Sequence, residues 1–245
     1  GLAALGVVVW ALNFWGGEPV QDAPAPPLDA QQVARGAYLA RAGNCMACHT
    51  ERGGQPYAGG RAIATPFGTV YAGNLTPDPQ TGLGTWSVSH FRRAVREGRS
   101  RDGRLLYPAF PYNHYTRLSD ADADALFAYL RSLPPVRKRN RIHALRWPYN
   151  TQTALAVWRA LYFRPADAET VANVAADRGA YLVRGLGHCG ACHSPRNALG
   201  GTHDLMDLSG GVIPMQNWYA PSLSARSEAS VADWPTAQIV QLLQA

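Results

Sequence analysis

The chain has 245 residues, of which 47% are hydrophobic and 16% charged, against about 25% charged in an average soluble protein. That composition can bury a core and excludes disorder for most of the chain. The length allows one large domain or two small ones, and four cysteines are too few for a disulfide scaffold. The net charge of +6 comes from 23 basic residues, 22 of them Arg, scattered along the chain rather than clustered, so no nucleic-acid partner is expected.

Gly1–Trp15 (GLAALGVVVWALNFW) carries no charge. Fifteen residues are short of the ~20 that cross a bilayer, but the chain opens on Gly rather than Met. Residues 1–17 are therefore read as the later part of an N-terminal membrane anchor, in preference to a signal-peptide core. Trp10 and Trp15 suit an interface. Glu18–Leu28, with four prolines, reads as an extended tether over residues 18–30. At the far end, Gln241–Ala245 stops without a helix terminator, so the gene product is expected to continue.

Between these ends the apolar spacing predicts helices. Residues 31–42 place Val33, Ala34, Ala37, Tyr38 and Ala40 on one side. Trp86, Phe91 and Val95 mark a second helix, ended by Gly98, with His90 on its surface. Ser119-x-x-Asp122 resembles a capping box and opens a helix with Leu126, Phe127 and Leu130 inward, closed by Pro134-Pro135. The stretches Gly53–Gly60, Thr65–Gly68 and Thr76–Gly84 read as loops. No alternating strand run is found, so the expected fold class is all-α. Arg137-Lys138-Arg139 and Arg141 read as a solvated basic run, and Ala154–Phe163 as an amphipathic to apolar stretch packing between domains, with a partner or the membrane surface as the alternative.

The chain repeats itself. Arg35–His49 (RGAYLARAGNCMACH) matches Arg178–His193 (RGAYLVRGLGHCGACH), and Tyr71–Thr76 matches Tyr219–Ser224 at an offset of 148 residues. This divides the chain into a first unit at 31–134, a linker at 135–170 and a second unit at 171–245. All four cysteines fall in two C-x-x-C-H motifs: Cys45, Cys48, His49 and Cys189, Cys192, His193. Two thiols on one turn reach the two vinyl groups of a porphyrin, and the following imidazole points at the iron, which is the attachment pattern of haem c. A zinc module would bring its CxxC pairs within ~15–20 residues; here they are 144 apart. A redox disulfide would need a βαβ setting, which is missing.

His49 and His193 are thus the expected proximal iron ligands. A distal Met is scarce. Met46 lies inside its own motif and no other Met precedes Met206. His114, in Tyr107–Tyr115 (YPAFPYNHY), is the expected distal ligand of the first haem. For the second haem the ligand is expected outside this chain, with Met215 and Met206 as fallbacks and His188 poorly placed beside Cys189.

Thr65–Thr76 (TPFGTVYAGNLT), Thr81–Trp86 (TGLGTW), Leu106–Tyr112 (LYPAFPY) and Arg178–Gly200 resemble the membrane-anchored multihaem cytochrome c subunits of bacterial periplasmic dehydrogenases. The resemblance implies tandem class I cytochrome c-like domains, two haems here and a third beyond residue 245, and a location at the periplasmic face of the bacterial inner membrane. It also implies electron relay, with no substrate chemistry of the chain's own, to ubiquinone or another respiratory acceptor. Relatives serving quinoprotein alcohol or flavoprotein gluconate dehydrogenases carry Met where Phe110 stands here. The Phe variant resembles cytochromes paired with a molybdopterin catalytic subunit and a [2Fe–2S] subunit that oxidise aldehydes or N-heterocycles. The alcohol and gluconate type is the alternative, and a di-haem peroxidase a distant one.

Overall fold

The computed structural model describes residues 1–14, 20–213, 218–228, 231 and 233–244. Trp15 and Met215 lie outside the described residues. Two compact units form, Gly1–His188 and Cys189–Ala245.

In the first unit, the Asp29 carboxylate accepts the Gln32 N–H at 2.7 Å and starts helix α2, Ala30–Ala42. Its buried stripe is Gly36, Leu39 and Ala40, whereas Tyr38 is 45% exposed. The predicted face is therefore rotated. Crossing helix α6, Asp120–Ser132, so closely requires a glycine at position 36: a Cβ there would lie 1.9 Å from the Ala125 carbonyl oxygen. Leu126, Phe127 and Leu130 of α6 are buried as expected, and Phe127 stacks on Phe91 with centroids 5.0 Å apart. Leu39, Leu118, Tyr181 and Leu186 complete this core. Each large apolar side chain buried there contributes about 1.5–3 kcal/mol. Tyr181 and Leu186 come from the second copy of the repeat, from helix α9 (Arg178–Tyr181) and the π-helical turn Leu182–Leu186, yet they belong to the first unit.

Helix α4, Val88–Glu97, ends on Gly98 in the left-handed region, φ 61°. His90 is buried rather than on the surface: it is the N3 residue of a capping box. The Ser87 hydroxyl accepts the His90 N–H, and the imidazole Nδ1 accepts the Ser87 N–H, each at 3.3 Å. Imidazole thus takes the place that Glu or Gln commonly fills. Burial holds His90 below its ordinary pKa, with Arg93 and Arg101 adding to the effect and Asp22 opposing it. The unfolded chain then binds more protons than the folded one as pH falls through about 6.5, so stability drops with acidification. In denaturant titrations at pH 7.5 and 5.5, H90Q should show a smaller loss of midpoint than the parent chain; an equal loss would remove His90 as the cause.

Two antiparallel sheets correct the all-α expectation. β1 (Ala62–Thr65), β2 (Gly68–Tyr71) and β3 (Ala144–Leu145) form one in that order; β4 (Gly211–Ile213) and β5 (Trp218–Ala220) form the other. The strands are short, and in the first hairpin only Ile63 and Val70, which are paired, face inward. An alternation of that length gives no periodic signal. Thr65–Gly68, read as loop, is the hairpin turn. Residues 136–146 are not a free linker. They run along the 74–81 loop and β2, where Lys138 pairs with Glu51, the Arg141 guanidinium lies 3.9 Å from the Tyr71 ring centroid, and β3 joins the sheet.

The membrane anchor is also corrected. α1 spans Leu2–Phe14, 13 residues. Among the described residues no helix is long and apolar enough to cross a membrane, so an inner-membrane location by an N-terminal anchor has no support. The helix carries one buried polar residue, Asn13, bonded to another helix of the first unit. Asn13 donates to the Ala156 carbonyl at 2.8 Å and accepts from Arg159 Nε at 2.9 Å. Both partners lie on α7, Gln152–Tyr162, which covers most of the apolar stretch Ala154–Phe163.

Candidate functional site

Cys45, Cys48 and His49 lie on the one-turn helix α3, Cys45–His49, reached through Asn44 at φ 49°. No cysteine is in a disulfide. Cys45 packs against the helical core and Cys48 against the Ile63–Val70–Ala72 cluster under the first sheet, so the two thiols sit at the seam between helices and hairpin. Burial pushes the Cys45 thiol up to about 12, with Cys48 adding to the rise. Cys189 caps and Cys192–His193 end the matching helix α10, Gly190–His193.

Each motif histidine is held by the main chain. His49 Nδ1 donates to the Gly73 carbonyl and His193 Nδ1 to the Pro221 carbonyl, both at 2.8 Å. Gly73 and Pro221 are equivalent positions of the repeat. Tying Nδ1 fixes the ring and leaves Nε2 as the nitrogen that could take a metal. A second correspondence has no side-chain signal in the sequence. The Gly59 N–H donates to the His49 carbonyl at 2.7 Å and the Gly210 N–H to the His193 carbonyl at 2.8 Å. Each glycine opens a Gly-Gly pair leading to a hairpin. Gly59, at φ 71°, lets the Gly73 peptide approach so closely that a Cβ would lie 2.5 Å from its carbonyl carbon. The loop before the pair is ten residues after His49 and seventeen after His193, which breaks the constant offset and conceals the match.

His114 lies on the short helix α5, Tyr112–Tyr115, is 1% exposed, and has Nδ1 3.3 Å from the Arg184 carbonyl. Its neighbour Tyr115 is close to both Cys45 and Cys48; burial and then the two thiols raise its phenol well above the ordinary range. His188, set aside in the sequence, packs here in the first unit. Its ring centroid is 6.5 Å from that of His114 and 5.6 Å from that of Tyr115. Phe110 packs on Tyr115 at 5.4 Å. Met46 is 51% exposed, and the Met206 N–H is held by Asp204 at a turn.

These residues fit a covalently held haem: thiols three apart on a helical turn and outside any disulfide, followed by an imidazole with one nitrogen tied and the other left for iron. The fold and the two motifs define a c-type haem protein. The cytochrome c family profile matches residues 33–134. A protein named diheme cytochrome c-type from Cereibacter sphaeroides is 33% identical over 247 residues, covering 98% of this chain and 82% of its own. A nicotinate dehydrogenase subunit of Pseudomonas putida is 46% identical over 93% of this chain and 19% of its own length. The gluconate 2-dehydrogenase cytochrome c subunit of Pantoea cypripedii is 43% identical over 86% and 50%. The chain belongs to the cytochrome c family, whose members bind haem c covalently. It spans half or less of the length of these two dehydrogenase subunits.

Proposed function

We propose that this chain is an electron-transfer cytochrome subunit of a dehydrogenase complex, carrying two haems, one on Cys45, Cys48 and His49 and one on Cys189, Cys192 and His193. The observation that carries this is the duplicated geometry: each motif imidazole is held at Nδ1 by the equivalent main-chain carbonyl at 2.8 Å. A group so fixed changes oxidation state with little rearrangement, which suits one-electron relay. Bound haem supplies the redox-active iron. The chain's own residues anchor it, orient the proximal imidazole and pack the core around it. His114 is the proposed distal ligand of the first haem, and an imidazole there favours the ferric state more than a thioether would.

The partner we propose is a molybdopterin catalytic subunit with a [2Fe–2S] subunit, oxidising an aldehyde or an N-heterocycle, with ubiquinone or another respiratory acceptor downstream. Two points favour this over the alcohol or gluconate type. Phe110 offers no sulfur at the position where the resemblance implies Met in those relatives, and the identity to a nicotinate dehydrogenase subunit is 46%, against 43% to the gluconate dehydrogenase subunit. Affinity purification of the full chain from its native host, with metal analysis of the complex, tests it. Stoichiometric molybdenum is expected. A co-purifying quinoprotein or flavoprotein without molybdenum would overturn the partner assignment, and absence of covalent haem the relay itself.

A further inference from the structure

The carbonyl that holds His49 belongs to a peptide unit gripped at its other end. Gly73 C=O accepts from His49 Nδ1 at 2.8 Å, and the N–H of the same peptide, that of Asn74, donates to Asn140 Oδ1 at 2.7 Å. Asn140 Nδ2 in turn donates to the Thr81 carbonyl at 3.1 Å, which orients the amide with its oxygen toward Asn74. Asn140 stands on the 136–146 strap, fastened on both sides of it. Asn74 Nδ2 donates to the Val136 carbonyl at 2.8 Å and the Lys138 N–H to Thr81 Oγ1 at 3.1 Å. The Tyr71 N–H donates to His143 Nδ1 at 3.1 Å.

We propose that Asn140 is a positioning residue for the first haem, acting through the Gly73–Asn74 peptide on the proximal imidazole. Hydrogen bonds in a chain polarise one another. An acceptor on the Asn74 N–H makes the Gly73 carbonyl a stronger acceptor, which draws the Nδ1 proton of His49 and makes Nε2 a stronger donor to iron. A more basic proximal ligand stabilises the ferric state and lowers the potential. The strap belongs to the first unit, so the second haem serves as an internal reference. The inference rests on haem attachment at Cys45–His49.

The test is a spectroelectrochemical titration of the full chain, after mass spectrometry and the pyridine haemochrome spectrum have established two covalent haems. N140L removes the acceptor at similar volume; N140D keeps an oxygen there and strengthens it. One of the two haem waves should move positive in N140L and move negative in N140D, while the other stays, and the hyperfine-shifted His49 ring protons should move with it. Unmoved waves in both variants, or both waves moving equally, would overturn the inference. A chain without covalent haem would instead overturn the assignment on which it rests.

Discussion

H114A should convert the haem attached at Cys45 and Cys48 from a low-spin to a high-spin or water-ligated centre, visible as a charge-transfer band in the ferric spectrum and as CO binding by the reduced protein. His114 is buried in α5 beside Tyr115, which itself lies close to both thiols. The same variant should raise the potential of that haem, because the ferric state loses a basic ligand. H114M should restore a low-spin spectrum at a higher potential than the parent. His188 supplies the necessary comparison, since its ring lies 6.5 Å from that of His114. H188A should leave the low-spin signal in place. If H114A keeps the parent spectrum, His114 is not the ligand; if H188A alone loses it, the assignment passes to His188.

R35A should cost about 2–3 kcal/mol of stability. Asp122 is 1% exposed and its carboxylate is met from both copies of the repeat. Arg35 Nε donates at 2.6 Å, the equivalent Arg178 stands at 3.6 Å, and the Asp122 charge adds to the rise in the Tyr181 phenol pKa that burial causes. Stripping one partner from a buried ion pair costs ~3–5 kcal/mol; the figure is lowered here because the Arg35 side chain is 54% exposed and water screens it. The double variant R35A/D122N should recover part of the loss, since no buried charge is then left without its partner. R178A, at the longer distance and also half exposed, should cost under ~1 kcal/mol. Denaturant midpoints of the holoprotein measure all three. A double variant no more stable than R35A would show that Arg35 acts by packing its stem rather than by its charge.

Asp122 illustrates what was legible in the sequence and what was not. Ser119-x-x-Asp122 marked the start of α6 correctly, and the Ser119 hydroxyl does accept the Asp122 N–H. The Asp122 carboxylate, however, turns to Arg35 and Arg178, a choice set by tertiary packing and not by local spacing. The two CxxCH motifs and the repeat were plain because their chemistry is local: a thiol pair and an imidazole on one turn. The strands were not, since pairing of Ile63 with Val70 leaves a single buried residue per strand. Uncharged composition at the N-terminus pointed to a bilayer, but among the described residues no helix is long and apolar enough to cross one; the buried bonds of Asn13 to α7 could not be read from composition. His90 was misplaced because imidazole is not the usual N3 partner of a capping serine, so its bond with Ser87 gave no signal in the spacing.

The Gly73 and Pro221 carbonyls have a consequence for how such a protein varies. Every amino acid offers the same backbone oxygen, so an alanine scan would pass over both positions, although the side chains that follow them, Asn74 and Ser222, are buried and hydrogen-bonded. Constraint falls instead on Gly59 and Gly210, which present nothing to a ligand and serve by letting one stretch of main chain come close to another.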